Sequence, residues 1–269
     1  MISIGVSLKA YFGQEQTRRW MEQVGAIAAR HPAVRDGLVE LFVLPSFPLL
    51  SATIETMAGT GVLVGAQDLH WDDSGAVTGG VGAALLTELG CVLAEVGHAE
   101  RRRLFGETDE MVAAKVMAAL RHGLTPVLCL GEPERGDAGR AAEQCVAQLG
   151  AVTAGVRESG LAGRLIIAYE PHWAIGAAEP APREHIRSVC TALGAAVSDE
   201  PAFVGSTVIY GGSAGPGMLG DLWPAADGLF LGRFAHDPAA LEAVLDEAVT
   251  VKEGSRERKT QTRIQGDPW

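Results

Sequence analysis

Short apolar runs recur along the whole chain, and polar, helix-spaced segments separate them. The runs are ISIGVSL (2–8), VELFVLP (39–45), VLVGAQ (62–67), CVLAEVG (91–97), TPVLCLG (125–131), LIIAYE (165–170), TVIYGG (207–212) and GLFLG (228–232). They are rich in Val, Ile and Leu and do not alternate with polar residues, as strands covered on both faces should not. Residues 15–30, EQTRRWMEQVGAIAAR, place Trp20, Val24, Ile27 and Ala28 on one helical face. MVAAKVMAALRHG ends on Gly123, which predicts a helix stop. Strand–helix alternation without a break in composition predicts one α/β domain with a parallel sheet. Eight strands at this length predict a closed (β/α)8 barrel over residues 1–252. An open doubly wound sheet is the alternative. It usually carries a GxGxxG turn after its first strand, where this chain reads SLKAYFG. From Glu253 the sequence EGSRERKTQTRIQGDPW is polar and aperiodic, which predicts a flexible tail over residues 253–269.

Composition narrows the function classes. With 269 residues, 47% of them hydrophobic, the chain can bury a large core. A net charge of −11 argues against nucleic acid as a partner. It also means that any phosphate site must supply its own local positive field. Cys91, Cys129, Cys145 and Cys190 form no CxxC pair, and Cys91 and Cys129 sit in apolar runs, so a reduced, cytoplasmic protein is expected. The first nine residues, MISIGVSLK, lack the pattern of a signal peptide. No apolar run reaches membrane-helix length, so no membrane partner is expected.

In a barrel of this kind, chemistry belongs at the carboxyl ends of the strands. Those ends carry Lys9, His98 with Glu100, Glu132, Glu170, Ser213, and Gly232 with Arg233. Lys9 is flanked by Leu8, Tyr11 and Phe12, which argues against full exposure. At a half-buried rim its ammonium would attract a phosphate, and Ser7 shares its side of the strand. His98 precedes AERRRLFGE, which reads as a helix start. A helix N-terminus beside the ring would keep it neutral, and a neutral imidazole can donate a proton to an oxyanion and take it back. Glu170 is the candidate base, its pKa raised by apolar surroundings. YGGSAGPG (210–217) and GLFLGRF (228–234) supply two glycine turns, after strands seven and eight, suited to cradling a phosphate dianion. For each residue a bland alternative stands beside the functional one: a solvated lysine, a capping histidine, a polar strand end, an ordinary loop.

Taken in order, these segments resemble the triosephosphate isomerase family over nearly the whole length. AYEPHWAIG (168–176) resembles its base-and-lid motif, GHAERR (97–102) its histidine motif, and GAQDLHWDDSGAVTG (65–79) the loop that enters a partner subunit. LCLGE (128–132) and YGGS (210–213) also match. The roles that follow are the family's known ones and come with the resemblance. It implies that Glu170 abstracts a proton beside a carbonyl and that His98 shuttles protons between the enediolate oxygens. Lys9 would stabilise the negative charge, with Glu100 anchoring it. Pro171, His172, Trp173, Ala174, Ile175, Gly176, Ala177 and Ala178 would close as a lid, excluding water. Backbone amides at Gly176, Ser213, Gly232 and Arg233 would bind the phosphate of a small phosphorylated sugar. No metal or organic cofactor is implied. A homodimer is implied through residues 65–79, with Trp71 and Thr78 entering the neighbour; a monomer with an ordinary loop is the alternative.

Four pocket positions depart from the family. It has Asn at the place of Ser7, Ser at Ala99, commonly Gly at Ala178, and a second Gly at Arg233. Ser7 and Ala99 remove volume near the reacting carbons, and Arg233 adds a cation at the mouth. SLKAYFG and LGRFAHD resemble a related branch that acts on erythrulose phosphates. A widened pocket, with a serine hydroxyl able to bond an extra hydroxymethyl group, predicts a four-carbon ketose phosphate as substrate. A true triosephosphate isomerase is the alternative, and a non-catalytic phosphate-binding barrel ranks below both.

Overall fold

The computed structural model describes the backbone of residues 1–177 and 179–265, with side chains through Ser255. The strands are β1 (Ile2–Ser7), β2 (Val39–Leu44), β3 (Leu63–Ala66), β4 (Leu93–Val96), β5 (Thr125–Leu130), β6 (Ile166–Tyr169), β7 (Thr207–Tyr210) and β8 (Gly228–Leu231). Each pairs in parallel with the next, and β1 pairs with β8 from Ser3↔Gly228 to Val6↔Leu231. That last ladder closes the cylinder and excludes the open sheet.

The closed sheet explains why the apolar runs are continuous. Phe42, Leu44, Leu93, Val127, Cys129, Ile166, Ala168, Ile209 and Phe230 fill the inside of the barrel. Their neighbours along the strands, such as Ile4, Val6, Leu41, Val43 and Ile167, pack outward against the helices. Each strand thus buries both sets of side chains, which point to opposite faces. Gly5 leaves the room that Phe42 occupies, since a Cβ there would lie 2.2 Å from the Phe42 ring.

The helix Gln14–Arg30 buries Trp20, Val24, Ile27 and Ala28, the face the spacing predicted. The Trp20 indole donates to the Ala235 carbonyl at 2.7 Å, tying this helix to the turn after β8. The helix Asp109–Arg121 stops just before Gly123, as expected. One boundary differs. The final helix runs Pro238–Gln265, so helical backbone continues through residues 253–265, where polarity predicted a tail. Arg, Lys, Glu and Gln are good helix formers; their polarity argues against a buried face, not against helical backbone. No described helix is long and apolar enough to cross a membrane. The four cysteines are free and buried.

Candidate active site

Strand β6 ends at Tyr169, and the Glu170 N–H donates to the Leu130 carbonyl at 2.9 Å, which fixes the carboxylate at the rim. Glu170 is only 5% exposed. It packs so tightly on the backbone after β7 that a Cβ at Gly211 would lie 2.6 Å from its Oε1. Burial drives the Glu170 pKa up to about 8. The Lys9 ammonium opposes this, and the neighbouring carboxylates Glu95 and Glu100 add to it.

His98 follows β4 and caps the helix Ala99–Phe105. Its Nδ1 accepts the Glu100 N–H at 3.0 Å. A nitrogen that accepts cannot carry the proton, so the neutral ring bears its hydrogen on Nε2. That Nε2 lies 3.3 Å from Glu170 Oε2, and neither atom makes a hydrogen bond among the described residues. Burial first, then the nearby Lys9 ammonium, push the His98 pKa down to about 3. Both effects favour the neutral ring.

Lys9 reaches the site by an unexpected route. Strand β1 ends at Ser7, and Lys9 adopts a left-handed backbone with φ 47°. Alternation along a strand therefore does not place it beside Ser7; a strained turn does. Two donors hold its carbonyl in place: Ser46 Oγ at 3.0 Å and Gln67 Nε2 at 3.1 Å. The same Gln67 amide donates to the Leu44 carbonyl at 2.9 Å. The Lys9 ammonium bonds Glu100 Oε1 at 2.9 Å. Burial works to lower its pKa, but Glu170, Glu100 and Glu95 more than offset that, and the net shift is upward.

These groups border a cavity of about 600 Å³. Ser7, Lys9, Ala99, Glu100, Glu170, Gly176, Ser213, Gly232 and Arg233 all line it. His98 is not itself on the lining, but its Nε2 meets Glu170, which is. Of the residues expected to form a lid, His172, Ile175, Gly176 and Ala177 face the cavity. Ala178 falls outside the described residues. Hydrogen bonds tie this segment to its surroundings. Ser213 Oγ donates to the Ala174 carbonyl at 2.8 Å, Arg233 donates to the Gly176 carbonyl at 3.4 Å, and the Ala181 N–H bonds Tyr210 Oη at 3.2 Å. Of the four amides expected to bind phosphate, the Ser213 N–H is already engaged with the Gly211 carbonyl at 3.0 Å. Trp71 and Thr78 lie apart, on the loop after β3, with Thr78 exposed.

The tertiary structure adds residues whose roles sequence reasoning missed. Buried Glu132 accepts from Trp173 Nε1 at 2.9 Å and from Tyr169 Oη at 3.1 Å, and its Oε1 lies 2.9 Å from His185 Nε2, so it ties the start of the segment after β6 to the barrel wall. Gln67 holds the Lys9 turn. Arg102 donates to the Gly97 carbonyl at 2.9 Å, and Arg101 pairs with Asp68 at 2.8 Å, which braces the His98 turn against the loop after β3. Glu95, inside the barrel, accepts from Ser7 Oγ at 3.1 Å. Burial drives its pKa up to about 7, against the pull of Lys9 and the Ser7 bond. A carboxylate inside the apolar run CVLAEVG was the one legible sign of it.

Moving a proton beside a carbonyl needs a base that can accept it and an acid that stays neutral. A closed barrel that brings both to one rim, beside an ammonium and two glycine turns, defines an isomerase of enolisable sugar phosphates. Comparison with known proteins agrees. Residues 2–248 match the family model described as Triosephosphate isomerase. The chain is 52% identical over 250 residues to "L-erythrulose-1-phosphate isomerase" of Pectobacterium atrosepticum, covering 93% of this chain and 96% of that one. It is 40% identical over 222 residues to the protein of the same name from Rhizobium etli, covering 79% of each. It is 41% identical over 204 residues to "Triosephosphate isomerase" of Roseiflexus castenholzii, covering 72% of this chain and 78% of that one. The chain belongs to the triosephosphate isomerase family.

Proposed function

We propose that this enzyme isomerises a four-carbon ketose phosphate, L-erythrulose 1-phosphate, by moving its carbonyl one carbon along the chain. Glu170 takes the proton from the carbon next to the carbonyl. His98 Nε2–H protonates the carbonyl oxygen, and the ring then takes the proton from the neighbouring hydroxyl. Glu170 returns its proton to the former carbonyl carbon, and the product is the ketose phosphate with the carbonyl farther from the phosphate. Lys9 offsets the enediolate charge in a site that excludes water. Gly176, Gly232 and Arg233 bind the phosphate through their backbone amides, with Ser213 beside them on the cavity lining, and the lid keeps the intermediate from losing it.

The observation that carries this reading is the pairing of a neutral Nε2–H with a buried carboxylate 3.3 Å away. The four-carbon substrate is supported by the relative of that name at 52% identity and by Ser7 and Ala99 on the cavity lining. The triose is the second reading, favoured by the Roseiflexus relative. Steady-state rates on L-erythrulose 1-phosphate and D-glyceraldehyde 3-phosphate separate the two. Equal or faster turnover of the triose removes the case for a widened pocket.

The enzyme works as a homodimer. Phe105, 67% exposed, lines a second, smaller cavity with Val81 and with Leu69 and Trp71 of the loop of residues 65–79, and its chain neighbour Leu104 is 65% exposed. Apolar surface of this kind favours association. Light scattering tests it: a monomer mass at micromolar concentration refutes the dimer. Four unpaired thiols fit a cytoplasmic location, which subcellular fractionation checks.

A further inference from the structure

Glu95 is a carboxylate where the interior of the barrel is otherwise mostly apolar. It is 3% exposed, projects inward from β4, and is ringed by Leu93, Val127 and Cys129. A buried ionisable group is costly, and an apolar side chain of similar volume in its place is often neutral or stabilising. Packing therefore gives no reason for a glutamate here. Its contacts do. Ser7 Oγ donates to Oε2 at 3.1 Å, and Cys129 Sγ to Oε1 at 3.7 Å. Glu95 does not line the cavity, whereas Ser7 does.

A hydroxyl has one proton and two lone pairs. While Glu95 is ionised, the Ser7 proton is committed downward, to its carboxylate. What Ser7 can offer the cavity is then lone pairs alone, so this wall accepts a hydrogen bond and cannot donate one. We propose that Glu95 is a positioning residue for specificity: it orients Ser7 as an obligate acceptor for an alcohol O–H of the substrate, beyond the two carbons that react. With no partner beneath it, Ser7 would rotate freely and would favour neither a donor nor an acceptor. The matched substrate class is a sugar phosphate that carries a hydroxymethyl group beyond the two reacting carbons, at the end away from the phosphate. The inference rests on the four-carbon reading above and adds the residue that enforces it.

The test is the ratio of kcat/KM for L-erythrulose 1-phosphate to that for D-glyceraldehyde 3-phosphate, measured above the pH at which Glu95 titrates. Removing a charge near Glu170 alters the base for both substrates, and the ratio cancels that effect. Glu95→Leu and Ser7→Ala should each lower the ratio by roughly three- to tenfold, the ordinary worth of one hydrogen bond. The double variant should do no worse than Ser7→Ala alone, because the two residues act as one unit. Glu95→Gln, whose amide oxygen still accepts from Ser7, should restore most of the ratio. Circular dichroism should show the fold intact in each variant. A ratio unmoved by Glu95→Leu, or one lowered additively in the double variant, overturns the role of Glu95 and leaves the substrate reading standing. A wild-type ratio that favours the triose sinks both.

Discussion

The ring nitrogen of His98 and the carboxylate of Glu170 face each other at 3.3 Å, and neither atom makes a hydrogen bond among the described residues. Backbone capping on the far side of the ring has already chosen the tautomer. Glu170→Gln should therefore cut kcat by about 10²–10⁴-fold, the usual worth of a general base. Binding of a phosphate-bearing analogue should persist. Titration calorimetry beside steady-state kinetics distinguishes loss of the base from loss of the site.

The same residue predicts a pH dependence of stability. The folded-state pKa of Glu170, about 8, lies above its unfolded value of 4.5. The native state therefore holds a proton that the unfolded chain releases between those values. Stability from this group is intact below pH 4.5 and is lost as pH rises through about 8. Glu170→Gln should raise the melting temperature more at high pH than at low, by an amount on the order of a few kcal/mol in free energy. A gain that is flat with pH, in melts run across that window, contradicts the raised pKa. His98, held near 3, should show no ring protonation across the same window by nitrogen NMR.

Gly211 has no side chain because Glu170 Oε1 stands where a Cβ would go. Gly211→Ala should push the carboxylate away from its productive place and reduce kcat/KM by about 10²-fold, the cost of a misplacement of roughly 1 Å. The barrel should still fold, since the conflict is with one movable side chain. Unchanged kinetics with an unchanged melting curve would show that the carboxylate has room to spare.

Gln67 lies 58 residues from Lys9, yet its amide holds the strained Lys9 turn. Gln67→Leu should lower stability by about 1–3 kcal/mol, the scale of backbone strain left unsupported. It should also lower kcat/KM, because the ammonium loses its fixed place. Chemical denaturation and steady-state rates check the two halves separately.

Trp173, in the segment proposed to close as a lid, donates to Glu132. Trp173→Phe keeps an aromatic ring and removes one of the donors to buried Glu132, which costs about 1–3 kcal/mol, while Tyr169 and His185 still reach it. A looser lid admits water, so inorganic phosphate released per turnover should rise. Phosphate release at the wild-type level would mean that the other lid contacts suffice.

Much of this protein was legible in its linear pattern. Eight doubly buried runs spelled out a closed barrel, because strands covered on both faces read as uninterrupted apolar stretches. The residues following those runs named Lys9, His98 and Glu170, because a barrel delivers strand ends to one rim. Other features became visible only once distant segments met. Ser7 and Glu95 are 88 residues apart, Lys9 and Glu100 are 91, and Glu132 and Trp173 are 41. The left-handed turn at Lys9 exists because Ser46 and Gln67 converge on one carbonyl, and no local propensity calls for it. The continuing final helix shows the converse: polar residues say that a segment will not be buried, and leave its backbone free to be helical. Periodicity records which faces are covered. Hydrogen-bond partners, tautomers and shifted pKa values depend on what stands across the barrel, and that is a property of the folded chain alone.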